Sequence, residues 1–154
     1  MKIAIINGVN INFAGIREPQ VYGGQTLAEI NRQISAEAAA IAEMNLVKID
    51  LQFFQSNIEG EIINILQNCF EENFDGIVIN PGAYAHYSYA IRDAIASLAI
   101  PVIEVHMSNP HSREEFRHTS VITPVCQGQI CGFRSYGYAL AIYALIKTHL
   151  EVYE

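Results

Sequence analysis

The chain has 154 residues, 51% of them hydrophobic, with five histidines, three cysteines and a formal charge of −7. This is the size of one domain with a sizeable core, spanning 1–154, and the acidic balance excludes nucleic acid or an anionic membrane as partner while leaving room for a local basic pocket. The N-terminal apolar run is too short for a signal peptide and no stretch approaches the ~20 apolar residues of a membrane span, while Cys69, Cys126 and Cys131, with no CxxC spacing, read as reduced, mostly core thiols of a cytoplasmic protein.

Ile3-Ala4-Ile5-Ile6 is a continuous apolar run of the kind a buried parallel strand shows, and it ends at Asn7-Gly8. The stretch Gly15 to Gly24 follows, bounded by glycines and interrupted by Pro19, and predicts a mobile loop. Thr26 and Glu29 form a capping-box pattern that starts a helix to about Met44, with Leu27, Ile30, Ile34, Ala38 and Ile41 on its apolar face. Val47 to Phe54 is β-rich and gives way at Gln55-Ser56-Asn57 to a helix through about Asn73. Ser56 or Asn57 is the expected cap of that helix, and Ile62, Ile65, Leu66, Cys69 and Phe70 its buried face.

Gly76-Ile77-Val78-Ile79 is a third buried strand, ending at Asn80-Pro81-Gly82, and a helix over about Ser88 to Ala99 follows. Pro101 to Val105 is a fourth strand, ending at His106-Met107-Ser108-Asn109. Ser112 and Glu115 repeat the capping-box pattern over a short helix, Gln129 to Phe133 supplies a fifth strand, and Gly137 to about Leu150 is a mostly apolar last helix. Strands alternating with helices at this spacing predict an α/β, flavodoxin-like, doubly wound five-stranded parallel sheet with helices on both faces. In such sheets ligands bind beyond the carboxyl ends of the strands.

The strand ends are where the chemistry collects. Asn7, Asn10 and Asn12, Gln55-Ser56-Asn57, Asn80, and His106 with Ser108 and Asn109 are neutral donors and acceptors suited to a polyhydroxylated or carboxylated small molecule. His106 leaves a buried strand with Glu104 two positions back on the same face, where a carboxylate orients or charges an imidazole. His86 stands in a Gly-Ala-Tyr-Ala-His loop suited to holding a ligand. Arg113 and Arg117 share a helical face at i, i+4, where an arginine binds a substrate carboxylate; for Arg113 a solvated pairing with Glu114 or Glu115 is the preferred reading.

Arg17 and Tyr22 are the chemically capable residues of the glycine-bounded loop. A guanidinium about 4 Å from a phenol gains roughly 4 kcal/mol at an effective dielectric of about 20, enough to move a phenol by about three pKa units towards neutrality if the loop excludes solvent. An ordinary surface turn is the alternative. There is no P-loop, no GxGxxG opening a helix and no GxSxG elbow, and the His106, His111 and His118 spacings match no zinc pattern. The residues by themselves leave open a phosphate- or nucleotide-binding module in the same strand-end pocket, or another lyase or isomerase acting on a hydroxylated cyclic acid.

With those residues in view, the chain resembles type II 3-dehydroquinate dehydratase, an enzyme of the shikimate and quinate pathways. The matching stretches are Asn7 to Asn12, Gly15 to Gly23, Gln55 to Gly60, Asn80 to His86, Glu104 to Asn109 and Arg113 to Arg117. The resemblance implies an anti elimination of water from 3-dehydroquinate, giving 3-dehydroshikimate through an enolate, with neither metal nor cofactor. It implies that Tyr22 abstracts the axial C2 proton, that Arg17 lowers the Tyr22 pKa, and that His106, supported by Glu104, protonates the departing C1 hydroxyl. Asn10 would place Tyr22, and Asn80 would bind substrate and a water at the enolate oxygen. His86 and Arg117 would hold substrate hydroxyls, and the backbone at Met107 and Ser108 the carboxylate. Asp93 would reach a neighbouring subunit's site, since the family assembles as trimers packed into dodecamers. The sequence departs from the family pattern at Val9, where proline is usual, at Phe13-Ala14, at Ile58, often histidine, and at Arg134, where a second glycine is common; none of these removes a proposed catalytic group.

Overall fold

The computed structural model describes residues 1–16 and 24–151. Five parallel strands, β1 (Lys2–Asn7), β2 (Asp50–Gln55), β3 (Gly76–Asn80), β4 (Val102–His106) and β5 (Gly128–Cys131), form one sheet in the order β2-β1-β3-β4-β5. This is the expected flavodoxin-like winding. The chain steps outward from β1 to β2, then returns to the far side of β1 for β3, so the order reverses between β1 and β3 and opens a crevice there.

Among the described residues four α-helices cover the two faces: α1 (Leu27–Met44), α2 (Glu59–Glu71), α3 (Tyr89–Ala96) and α4 (Tyr136–Glu151). Side chains alternate across the strands, so each apolar run serves two cores. Ile3, Ile5, Val78, Ile103 and Val105 meet Ile30, Ile34 and Ala38 of α1 and Tyr138, Ile142 and Leu145 of α4. Ala4, Ile6, Ile77, Ile79 and Val102 meet Ile62, Leu66 and Cys69 of α2 and Ile91 and Ile95 of α3. No helix among the described residues is long and apolar enough to cross a membrane.

The capping box of α1 is present, with Thr26 Oγ1 accepting from the Glu29 amide at 3.3 Å and Glu29 Oε2 accepting from the Thr26 amide at 2.8 Å. Other boundaries differ from expectation. β2 starts at Asp50 rather than Val47, because α1 ends through Leu46 at φ 54 with the Val47 amide donating to the Ala42 carbonyl. Neither Ser56 nor Asn57 caps α2; Ile58 does, while the Ser56 hydroxyl accepts from the Ile58 amide and donates to Glu61. Phe70 is exposed rather than buried. The helix expected after Ser112 is two 3₁₀ turns, Pro110–Ser112 and Glu115–His118, since Asn109 rather than Ser112 accepts from the first amides and Arg113 between them is extended.

Candidate active site

The loops at the carboxyl ends of β1, β3 and β4 enclose a cavity of about 620 Å³, mouth included. Val9, Asn10, Phe13 and Ala14 come from the first loop, Asn80, Gly82 and His86 from the second, and His106, Met107, Ser108, Arg113 and Arg117 from the third. The first two loops touch closely. A Cβ on Gly8 would sit 2.4 Å from the Pro81 oxygen, and one on Gly82, at φ +63, 2.6 Å from the Val9 oxygen. Glycine is required at both positions for the loops to pack together.

Glu104 has no exposed surface, and its Oε1 accepts from His106 Nε2 at 2.6 Å. The period-2 placement on β4 therefore does bring the two side chains together, and with Nε2 engaged, Nδ1 is the imidazole nitrogen left for a ligand. Thr123 Oγ1 donates to Glu104 Oε2 at 2.6 Å, and Ser120 Oγ reaches both carboxylate oxygens at 3.0 and 3.1 Å. Burial pushes the Glu104 carboxyl up, but the His106 hydrogen bond and charge, with the Thr123 and Ser120 hydroxyls, outweigh it and hold the group below the usual carboxylate range.

His86 Nδ1–H donates to the Thr119 carbonyl at 2.9 Å, which leaves Nε2 as an acceptor when the ring is neutral. Its ring stacks on His106 at 6.3 Å and meets the edge of Phe116 at 5.7 Å. Burial, with the His106 and Arg117 charges, holds the His86 pKa below the ordinary value against the opposing Thr119 hydrogen bond. A neutral His86 suits a hydroxyl donor on the ligand rather than a carboxylate.

The carboxamides divide into two groups. Asn10, in a left-handed conformation at φ 66, and Asn80 line the cavity. Asn57 accepts from the Asn10 amide at 2.9 Å and from Gln55 at 3.2 Å, so the end of β2 supports the site from behind. Asn7 is buried and accepts from the Tyr138 hydroxyl at 2.6 Å, the same hydroxyl to which Asn80 Nδ2 donates at 2.8 Å. Asn12 is exposed and does not line the cavity. Of the expected amide rim, the greater part satisfies backbone and buried polar groups.

Arg113 and Arg117 do not sit on a helix face, yet both side chains line the cavity. The expected pairing of Arg113 with Glu114 is present, Nε lying 3.5 Å from the carboxylate, but the arginine is not solvated: its side chain is 9% exposed, and that of Arg117, with Nε 2.7 Å from the same carboxylate, 13%. Arg113 is thus a cavity residue that its spacing did not reveal. Thr119, Ser120, Thr123 and Tyr138 were also missed, each being an ordinary polar residue in an apolar setting. Asp93 lies outside this chain's cavity, on α3, with its side chain 75% exposed beside Arg92. Arg17 and Tyr22 lie outside the described residues. Burial pushes the Cys69, Cys126 and Cys131 thiols up to about 11, 12 and 11, so they are weak nucleophiles. Among the described residues no three His, Cys, Asp or Glu side chains converge as a metal site requires.

Residues 1–146 match the family described as dehydroquinase class II. A 3-dehydroquinate dehydratase of Clostridium perfringens is 50% identical over 151 residues, covering 98% of this chain and 99% of its own. One from Clostridium acetobutylicum is 55% identical over 145 residues, covering 94% and 96%. The crystal structure of a type II dehydroquinase from Butyrivibrio crossotus matches with a TM-score of 0.89 at 50% identity, covering 95% of this chain and 97% of that one.

Proposed function

The chain belongs to the class II dehydroquinase family, and on that premise we propose how its residues carry out the dehydration of 3-dehydroquinate, the hydro-lyase reaction of the shikimate pathway that it catalyses. One observation carries the mechanism: a fully buried carboxylate, Glu104, bonded to an imidazole, His106, in the wall of a cavity whose other polar lining is amide, imidazole and guanidinium.

Anti loss of the elements of water across C1–C2 requires a base on one face of the ring and an acid on the other. Tyr22 as its phenolate takes the axial C2 proton, leaving an enolate conjugated to the C3 oxygen. Arg17 favours the phenolate and the developing charge. The Gly15 end of their loop approaches Gln25, where an added Cβ would lie 2.9 Å from the Gln25 carbonyl, so the loop closes at its base next to the cavity-lining Ala14.

His106, charged through its bond to Glu104, then gives its Nδ1 proton to the C1 hydroxyl, which departs as water as the C1–C2 double bond forms. The acid finishes neutral and the base protonated, and exchange with solvent restores both. Asn80 binds substrate and a water at the enolate oxygen, where neutral, preorganised donors act best. His86, Arg117 and Arg113 hold ring hydroxyls, Asn10 places Tyr22, and the backbone at Met107 and Ser108 takes the carboxylate. We further infer that the chain acts as one domain in a cytoplasmic setting, consistent with its three unpaired thiols, and that copies assemble as trimers within a dodecamer, with Asp93 completing a neighbour's site.

Mixed with 3-dehydroquinate in the presence of EDTA, the protein should generate the ultraviolet absorbance of a conjugated enone. Tyr22→Phe should lower turnover by about 1,000-fold while still binding substrate; near-normal turnover in that variant would remove Tyr22 from the mechanism.

A further inference from the structure

Both site histidines are tied, through different atoms, to one short stretch of chain that precedes β5. Thr119 supplies the carbonyl that accepts from His86 Nδ1. One residue on, Ser120 Oγ lies 3.0 and 3.1 Å from Glu104 Oε1 and Oε2, and Thr123 Oγ1 donates to Oε2 at 2.6 Å. The stretch is itself fixed: Ser120 Oγ accepts from the Ile122 and Thr123 amides at 3.1 Å each, the Val121 amide donates to the Ala85 carbonyl at 2.8 Å next to His86, and Ile122 is fully buried in the core. Its polar residues form part of the wall of a second cavity, which His86 and His106 line as well as the first.

We propose that Thr119–Thr123 is a positioning clamp that sets which ring nitrogen of His86 and of His106 faces the ligand, Thr119 through its carbonyl and Ser120 and Thr123 through Glu104. The proposal rests on the acid role given to His106 above. A carboxylate has two oxygens free to rotate against an imidazole, and an unfixed one presents either oxygen or swings away. Here Thr123 holds Oε2 and leaves Oε1, which Ser120 also reaches, directed at His106 Nε2, so the N–H of the imidazolium left for the ligand is the one on Nδ1. On His86 the Thr119 carbonyl places the proton on Nδ1 and the acceptor on Nε2. One rigid turn thereby makes one histidine a donor and the other an acceptor towards the same ligand. A shift of the turn would misplace both.

Thr123→Val removes the hydroxyl with little change of shape, and Thr123→Ser keeps it. Among the described residues the other titratable groups that interact with Glu104 or His106 are His86, Cys126 and Cys131, and neither variant alters them. Expected for Thr123→Val is a kcat about tenfold lower, a KM within about twofold of the parent, and an acid limb of the kcat profile moved to higher pH, because a carboxylate that has lost a donor takes up a proton sooner. Thr123→Ser should restore all three. Thr123→Ala, which deletes atoms without substituting others, is the second variant and carries the same expectations if the valine protein does not fold.

Carboxyl 13C NMR of Glu104 in the ligand-free protein reads the clamp without any turnover, and its titration midpoint should rise in Thr123→Val. A parent that fails to dehydrate 3-dehydroquinate would sink the acid role while leaving this midpoint as the measure of the clamp. An unmoved midpoint, or equal loss of kcat in the valine and serine proteins with the acid limb in place, would overturn the clamp.

Discussion

Glu104 is a buried carboxylate that stays ionised only because imidazole and hydroxyl donors replace its water. Glu104→Gln keeps the shape and removes the charge that favours the imidazolium, so kcat should fall about 100-fold, measured at saturating substrate; a fall below threefold would show that His106 needs no anionic partner. The same residue makes stability depend on pH. Its folded pKa lies below the ordinary carboxylate value of 4.5, so in acid the unfolded chain binds the extra proton first. Its contribution is therefore present in full above about pH 4.5 and is lost as pH falls through the folded pKa. Thermal melts between about pH 6 and pH 3 should fall more steeply for the parent than for Glu104→Gln. The sequence made this pair legible, because residues two apart on a strand share a face. Arg113 was legible in part: its pairing with Glu114 is present, but the segment expected to be helical is extended at that residue and the side chain lines the cavity rather than lying on a solvated face. Most strand-end amides likewise turned out to serve neighbouring amides and hydroxyls, a use that composition does not separate from ligand binding.

At the scale of elements, the site depends on how the last helix holds the strand ends. Tyr138 of α4 is wholly buried; burial raises its phenol well above the ordinary value against the Asn80 hydrogen bond, so it stays a neutral donor to Asn7. Tyr138→Phe leaves an Asn7 oxygen and an Asn80 amide without that partner in the interior, at a cost of about 1–3 kcal/mol. Urea denaturation should show that loss, with reduced turnover as the Asn80 amide loses its orientation; unchanged stability would mean that water replaces the hydroxyl. Arg134 is the converse case. It holds φ 51 while its amide donates to the Met107 carbonyl at 2.9 Å, beside the loop that carries the cavity backbone. A non-glycine residue there bears roughly 1–2 kcal/mol of backbone strain, partly offset by glycine's greater unfolded entropy. Arg134→Gly should raise the unfolding free energy by up to about 1 kcal/mol, and a loss instead would reveal a contact of the guanidinium. Strand order and helix faces were legible from apolar runs and capping patterns, whereas the ends of β2, α2 and the 3₁₀ turns were not. Left-handed residues such as Leu46 and side chains such as Ser56 that bond locally set those ends, and both choices depend on what the chain packs against.

At the scale of the whole molecule, part of the exposed apolar surface is grouped on two helices. Tyr136, Leu140 and Tyr143 are exposed at i, i+4 and i+7 along α4, with Phe133 exposed just before it. Tyr89 and Asp93 are exposed four apart on α3, with Tyr87 before them. An aromatic surface beside an acidic side chain suits the shared site proposed above, since Arg113 and Arg117 at the cavity mouth both approach the Glu114 carboxylate. A chain with 16 acidic and 9 basic side chains repels its copies at long range, so assembly has to be held by such local apolar and ionic contacts. Light scattering should therefore give a mass many times the 17.1 kDa chain, twelvefold for the complete assembly. Asp93→Ala should either lower that mass or raise KM about tenfold at unchanged mass, the size expected for a charged contact at a shared site. A fully active monomer, or an Asp93→Ala protein identical to its parent in both mass and KM, would place the whole site within one chain and remove Asp93 from it.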